Sequence, residues 1–153
     1  MQTITQSVTI DRPVAEVWDY LSTFENTTQW SRGVVEARQT SGGPLGAGAT
    51  LQAVVTAFGR RRTADYLVTE FEPGQAFAFE VRSGPLASRA RYSVEPAGAG
   101  TRLTASGEAV ATGASRMLAP ILVRTVRKHS EADLANLKRI LEAPVAARQP
   151  RNP

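Results

Sequence analysis

The chain has 153 residues, of which 42% are hydrophobic and 21% are charged, a composition typical of one globular domain rather than a fibrous or disordered protein. It contains no cysteine, which excludes disulfides, a thiol nucleophile and a thiolate metal site. The formal net charge is +4, but acidic residues are interleaved with the basic ones and no nucleic-acid-binding motif occurs, so we favour solvated surface charge over contact with nucleic acid or an anionic membrane.

The N-terminal segment predicts a strand followed directly by a short helix. "TITQSVTI" alternates apolar residues with hydroxyl-bearing ones, as a half-buried strand does. Asp11 then offers an N-cap oxygen, and Pro13 suits the first helical turn. The apolar residues that follow at helical spacing are Val14, Val17, Trp18 and Leu21. We expect Trp18 and Leu21 to pack beneath a sheet.

The same segment lacks the basic start and apolar run of a signal peptide. The longest uncharged stretch, Gln39 to Gly59, contains too many polar residues to form a membrane helix. The sequence therefore predicts a soluble, cytoplasmic protein with no integral membrane segment.

Six further strands are predicted between residues 33 and 110, which gives a sheet of about seven strands. The connections "EPGQ", "SGPL" and "PAGAG" are short and rich in Gly and Pro, which favours antiparallel hairpins. The longer segment "SGGPLGAGA" lacks the residues of a P-loop or a dinucleotide fingerprint. We interpret it as a turn and as a candidate lid over a binding site.

Side-chain parity assigns the two faces of this sheet, because successive residues of a strand point to opposite sides. The charged set, interpreted as cross-strand pairs in water, is Glu80, Arg82, Arg89, Arg91, Arg102 and Glu108. The apolar set combines bulky residues with very small ones: Ala64, Tyr66, Val68, Phe77, Phe79, Val81, Ala90, Tyr92, Val94, Leu103, Ala105, Gly107 and Ala109. The small side chains leave volume that a helix, water or a ligand must occupy.

The last segment predicts a long amphipathic helix that covers the apolar face. Its apolar residues recur at spacings near three and four: Ile121, Leu122, Val126, Leu134, Leu137 and Leu141. Pro120 indicates a helix start or a kink, and Pro144 indicates the end. A helix of about 22 residues spans roughly 33 Å, enough to cross the sheet. We expect a single domain over residues 1–143 and a flexible tail over residues 144–153.

The order of these elements resembles a known fold. The segments that carry the resemblance are "SVTIDRPVAEVWDYLSTFENTTQW", "VTEFEPG", "YSVEPAGAGTRLT" and "ADLANLKRILEA". They are similar to the START-like helix-grip proteins, in the polyketide cyclase/dehydrase and lipid-transport branch of the SRPBCC superfamily. The resemblance implies an α+β fold: a curved antiparallel sheet wrapped on the C-terminal helix, with two short helices between the first two strands closing one end of a cavity.

We expect the cavity wall to include Trp30, Tyr66, Val68, Phe77, Phe79, Tyr92, Ala105, Leu122, Val126 and His129. Trp30 either plugs the cavity mouth or completes the local core. The polar groups expected on the apolar face are few: Gln6, Tyr66, Tyr92 and, as further candidates, His129 and Asn136.

His129, the chain's only histidine, lies at the border between the apolar and charged sides of the last helix. We interpret it as a solvated or packing residue and leave a general-base role open. Asp65, Glu70 and Glu72 do not have the spacing of a metal site. We therefore assign no catalytic residue, no metal and no cofactor.

An apolar cavity with a few hydrogen-bonding groups suits a hydrophobic small molecule. We predict a binder or carrier of a lipid, a quinone or a polyketide-like aromatic, acting as a monomer or homodimer without a nucleic-acid partner. The resemblance implies an alternative, a cyclase or dehydratase acting in the same cavity, although its polar residues find no position-by-position match here. A third interpretation is a module that binds a partner protein through a sheet edge or through Arg127 and Lys128.

Overall fold

The computed structural model describes residues 2–57, 59–82, 87–110 and 119–143. The elements are β1 (Gln2–Ile10), α1 (Val14–Ser22), a 3-10 turn (Phe24–Asn26), α2 (Thr27–Trp30), β2 (Val34–Gln39), β3 (Thr50–Ala57), β4 (Arg60–Glu72), β5 (Ala76–Val81), β6 (Ala87–Ala97), β7 (Gly100–Val110) and α3 (Ala119–Glu142). The predicted strands, short helices and long terminal helix are confirmed. The tail predicted for residues 144–153 lies outside the described residues.

The seven strands form one antiparallel sheet in the order β1-β7-β6-β5-β4-β3-β2. From β2 to β7, each strand pairs with the strand that follows it in the chain. The first strand, β1, instead pairs with the last strand, β7, from Gln2↔Ala109 to Ile10↔Thr101. Gly74 and Gly98, in the β4–β5 and β6–β7 turns, have φ of 74° and 62°, a left-handed conformation that glycine adopts at little steric cost.

The outer face of the sheet carries the ion pairs that parity predicts. Glu80 lies 3.5 Å from Arg89 and 3.2 Å from Arg82, and Arg91 binds Glu70 at 2.8 Å. These side chains remain partly exposed, so each pair adds little stability. Their position leaves the opposite face to apolar residues.

The inner face packs on α1 and on the second half of α3. Trp18 of α1 contacts Phe77 with ring centroids 5.8 Å apart, as expected for a residue beneath the sheet. In α3, Leu134 is 4% exposed and Leu137 and Leu141 are fully buried. This half of α3 therefore belongs to the main core.

A second, smaller core consists of Ala49, Leu51 and Val68, with Leu45 packed against it. The Gly-rich segment folds onto this core, since the Gly48 N–H donates to the Val68 carbonyl at 2.8 Å. The segment therefore packs on the second half of β4, and its interpretation as a lid stays a prediction.

The start of α1 also differs from expectation. Pro13, not Asp11, occupies the N-cap, and no side chain caps the helix. The Asp11 backbone N–H instead donates to the Glu142 carboxylate at 2.8 Å, and the Lys138 ammonium donates to the same oxygen at 2.9 Å. These two donors lower the pKa of Glu142. The carboxylate thus ties the end of α3 to the β1–α1 connection, and Asp11 contributes its backbone instead of its side chain.

Candidate ligand cavity

A cavity of about 540 Å³ lies between the inner face of the sheet and α3. Its volume falls within the range of roughly 300–1,000 Å³ found for small-molecule sites. Four lining residues have little or no side chain to fill the space: Ala53, Ala90, Ala105 and Gly107. The hollow expected from the small residues of the apolar face is therefore present.

One wall of the cavity is a continuous group of aromatic rings. Phe77 stacks on Tyr92 with centroids 5.3 Å apart and planes at 30°, and Phe79 stacks on Tyr92 at 6.2 Å and 30°. Tyr66 meets Phe79 edge-on at 5.2 Å, and Trp30 meets Tyr92 edge-on at 6.1 Å. We call these five residues the aromatic wall. Register explains it, because Phe77 lies opposite Tyr92 and alternate residues of β5 share one face.

Two members of the aromatic wall carry hydroxyl groups. Burial raises the pKa of Tyr66, and burial together with the negative charge of Asp133 raises the pKa of Tyr92 to about 12. Both phenols are therefore neutral near pH 7 and can donate a hydrogen bond. Within the described parts of the chain neither hydroxyl has a hydrogen-bond partner, so both are available to a ligand.

The opposite side of the cavity is closed by contacts between α2 and α3. The Asp133 carboxylate, which lines the cavity, accepts a hydrogen bond from the Ser31 hydroxyl at 3.1 Å and one from the Arg32 backbone N–H at 3.2 Å. One turn later, the Asn136 amide donates to the Trp30 carbonyl at 3.1 Å. These two α3 side chains hold the end of α2 in place and thereby position the Trp30 ring.

Eight of the ten residues expected in the cavity wall line the cavity: Trp30, Tyr66, Phe77, Phe79, Tyr92, Ala105, Val126 and His129. Val68 does not, because it is 2% exposed within the second core, beneath the Gly-rich segment. The side chain of Leu122 lies outside the described residues. Trp30 completes the local core, since it is 6% exposed within the main core cluster, and it also lines the cavity; its interpretation as a plug of the cavity mouth stays a prediction.

Two of the polar residues expected on the apolar face serve the fold. Gln6 donates to the Arg127 carbonyl at 3.1 Å and so fastens β1 to α3, and Asn136 fastens α2. Neither is among the residues that line the cavity. His129 does line it, from an exposed position on α3.

The sequence reasoning missed Asp133, Ser130 and Ser31, which supply polar groups to the wall. It also assigned Arg89 and Glu108 to the outer face alone, whereas both are among the residues that line the cavity. A signal for Asp133 was present. It follows Val126 by seven residues and precedes Leu137 by four, a spacing that places it in the apolar stripe of the helix. A carboxylate in such a stripe marks a candidate site, because an unpaired buried charge is costly.

The site therefore combines an apolar ring surface and two neutral phenol donors with three charged residues of the lining, Asp133, Glu108 and Arg89. Among the described residues no group of three His, Asp or Glu side chains could hold a metal ion. In the same part of the chain, no helix is both long and apolar enough to cross a membrane.

A curved antiparallel sheet that grips a long C-terminal helix around a ligand-sized cavity defines a helix-grip protein. Residues 1–142 match the family described as polyketide cyclase / dehydrase and lipid transport. The chain belongs to this family, as its sequence resemblance implied. Among curated proteins, none matches the sequence.

Solved structures show the same fold at low sequence identity. TTHA0849 from Thermus thermophilus superimposes with a TM-score of 0.78 at 16% identity, over 92% of this chain and 97% of that one. The Zhui aromatase/cyclase from Streptomyces sp. R1128 gives 0.74 at 16% identity, over 92% and 93%. The di-domain ARO/CYC BexL from the BE-7585A biosynthetic pathway gives 0.76 at 19% identity, over 91% of this chain and 46% of BexL.

Proposed function

We propose that the protein binds a flat, uncharged hydrophobic molecule, of the quinone, polyketide-like aromatic or ring-containing lipid class, between the sheet and α3. The observation that carries this proposal is the aromatic wall beside a cavity of about 540 Å³. An apolar ligand gains roughly 25 cal/mol for each Å² of apolar surface that it removes from water.

The ring geometry favours a flat ligand. Phe77, Phe79 and Tyr92 have interplanar angles of 22° to 30°, so their ring planes are nearly parallel and a flat ligand can align with all three. Aromatic molecules gain additional energy from offset stacking on such rings, whereas a flexible alkyl chain also loses rotational freedom when it is ordered. The wall therefore suits fused or conjugated rings better than a single acyl chain.

The polar groups favour an uncharged ligand with acceptor oxygens. Tyr66 and Tyr92 offer neutral hydroxyl donors, which pair with a carbonyl, quinone or hydroxyl oxygen. Two carboxylate residues, Asp133 and Glu108, line the cavity together with one cation, Arg89, so the excess of negative charge disfavours an anionic head group. A free fatty acid is therefore disfavoured relative to a neutral ketone or quinone of similar size.

Titration with an uncharged hydroxyanthraquinone, followed by its absorption spectrum, tests this proposal. Phe79→Ala removes a ring of the aromatic wall, and we expect about tenfold weaker binding, since one buried Phe side chain contributes roughly 1.5–3 kcal/mol. Phe71→Ala is the matched control, because Phe71 lies outside the cavity lining and contacts Trp18 at 5.7 Å. Absence of saturable binding, or equal weakening by both substitutions, contradicts the proposal.

A second candidate function is a cyclase or dehydratase reaction in the same cavity. It is supported by the presence of a carboxylate and a neutral phenol on the cavity wall, since proton removal and proton donation are the two steps that aldol condensation and dehydration require. The names of Zhui and BexL describe aromatase/cyclases. If the protein is such an enzyme, Asp133→Asn should abolish product formation from a poly-ketone substrate. Its affinity for the hydroxyanthraquinone should stay within about twofold of wild type. A binder forms no product in either protein.

A further inference from the structure

The cavity reaches solvent beside the first half of α3. Val126 and His129 line the cavity, yet Val126 is 53% exposed and His129 is also exposed. Closer to the start of the helix, Ile121 is 63% exposed. The second half of α3 is by contrast buried in the core, so the helix has an anchored half and an exposed half that presents apolar side chains at the opening.

The exposed half of α3 is also basic. Arg124, Arg127 and Lys128 are exposed, and no acidic residue precedes Glu131 in the helix. Three arginines on the outer face of the sheet each lie within 3.5 Å of a carboxylate. Among the described residues, none of the three α3 cations has such a partner. The positive end of the helix dipole adds to the same potential.

A second group of cations lies at the same end of the sheet. Antiparallel pairing places the starts of β1, β4 and β6 at the same end of the sheet as the ends of β5 and β7. The cavity opens at this end. The first three residues of β4, Arg60, Arg61 and Arg62, are all exposed there. These three arginines therefore add positive charge at the same end of the sheet, at least four residues along β4 from Tyr66, which lines the cavity.

We propose that this end of the protein docks on an anionic lipid bilayer. Ile121, which shares one side of α3 with Arg124 and Lys128 by helical spacing, enters the interface, while the cations of α3 face the headgroups. Apolar side chains flanked by Lys and Arg are the combination that holds a peripheral protein on anionic lipid. A purely polar partner such as nucleic acid satisfies the cations but leaves Ile121 in water. Docking in this orientation lets an apolar ligand, of the kind proposed above, pass between the bilayer and the cavity without crossing bulk solvent.

Cosedimentation with vesicles tests the docking surface. Vesicles of phosphatidylcholine alone are compared with vesicles in which roughly one third of the lipid is phosphatidylglycerol. The variant Arg124→Gln/Arg127→Gln/Lys128→Gln removes the three α3 cations. The control Arg38→Gln/Arg91→Gln/Arg102→Gln removes the same charge from exposed positions of the outer face that lie away from the cavity opening. Circular dichroism verifies that both variants are folded.

We expect wild-type protein to bind only the anionic vesicles. The helix variant should bind them about a hundredfold more weakly, since each of the three cations contributes about fivefold, and Ile121→Ser should weaken binding by about tenfold. The outer-face control should stay within about twofold of wild type. Equal losses in both triple variants, absence of vesicle binding, or tighter binding to polyglutamate or duplex DNA than to the vesicles overturns the proposal.

Discussion

Trp30 and Tyr92 pack edge to face, with ring centroids 6.1 Å apart and planes at 83°. This contact joins the last residue of α2 to the middle of β6. Because Asn136 of α3 binds the Trp30 carbonyl, the short helix, the sheet and the long helix meet at this one pair on the cavity wall.

Filling the cavity should weaken binding without harming the fold. Ala90 lines the cavity and lies opposite Phe79 on β5 and Gly107 on β7. Ala90→Leu should raise the free energy of unfolding by about 0.5–2 kcal/mol, as cavity-filling substitutions do, and should weaken hydroxyanthraquinone binding by about tenfold or more, because its side chain projects into the space beside Phe79. Thermal unfolding and the absorption titration measure the two effects. Ala78→Leu, on the outer face of β5, should change neither, and full affinity in Ala90→Leu is incompatible with the assigned site.

The Tyr92 hydroxyl should select ligands that carry an acceptor oxygen. Tyr92→Phe should weaken quinone binding by about fivefold, the value of one hydrogen bond near 1 kcal/mol, and should leave the affinity for a hydrocarbon of the same shape unchanged. Tyr20→Phe is the control, since Tyr20 donates to Gln29 and does not line the cavity. Equal losses for the quinone and the hydrocarbon argue that the ring, and not the hydroxyl, makes the contact.

The raised pKa of Tyr92 gives a related pH prediction. Because the folded-state pKa of about 12 lies above the ordinary value of 10, the phenol stays protonated through about pH 9 and quinone affinity should be constant there. Above about pH 10 its ionisation favours the unfolded state, so stability falls as the pH rises. In an ultraviolet titration of the wild-type protein, Tyr92 should be the tyrosine that ionises at the highest pH. This last ionisation step should be absent from the titration of Tyr92→Phe. Ionisation of Tyr92 at the ordinary value contradicts its buried placement.

Asp133 should stabilise the packing of α2 against α3 through its hydrogen bonds to Ser31 and Arg32, whether or not the cavity hosts a reaction. Asp133→Asn should lower the free energy of unfolding by about 1 kcal/mol, which corresponds to roughly 2–4 °C in Tm. A double-mutant cycle with Ser31→Ala should give a coupling energy of about 0.5–1.5 kcal/mol, measured by denaturant unfolding. Simple additivity of the two substitutions would show that the bond between these side chains does not hold the helices together.

Glu142 should make stability depend on pH in the acid range. Its pKa is lowered from 4.5, so the charged form is stabilised in the folded protein. That contribution is present above the ordinary pKa and disappears as the pH falls through the lower folded-state value. Glu142→Gln should lower Tm by roughly 2–4 °C at neutral pH and by much less in strong acid. Glu131→Gln on the exposed side of α3 is the control. If the Tm of Glu142→Gln stays equally far below that of wild type in strong acid, the Glu142 carboxylate is not the origin of the difference.

The sheet and its two faces could be predicted because the residue pattern is unambiguous there. In β5 and β6 the charges alternate with aromatic residues, and a shift by one residue would bury Glu80 and Arg91. The ion pairs of the outer face confirm this register. The aromatic wall follows from the same alternation, since residues of one parity in neighbouring strands must meet.

Features that depend on long-range contacts could not be predicted in this way. Asp11 has the side chain of an N-cap, but its backbone N–H binds Glu142, 131 residues later in the chain. Val68 has the parity of a cavity residue, yet the Gly-rich segment covers it. Helical spacing places Asp133 in the apolar stripe, but nothing local shows that Ser31 meets it. In each case tertiary contacts, which local pattern does not encode, decide the outcome.

The two tryptophans offer the most direct test of the cavity as the ligand site. Trp18 and Trp30 are 7% and 6% exposed, so solvent reaches them equally, but only Trp30 lines the cavity. Trp18→Phe and Trp30→Phe each leave one fluorophore, which is titrated with an uncharged naphthoquinone that quenches on contact. We expect saturable quenching of Trp30 in the Trp18→Phe protein and far weaker quenching of Trp18 in the Trp30→Phe protein. Equal quenching of both residues, or none of either, would contradict a ligand bound between the sheet and α3.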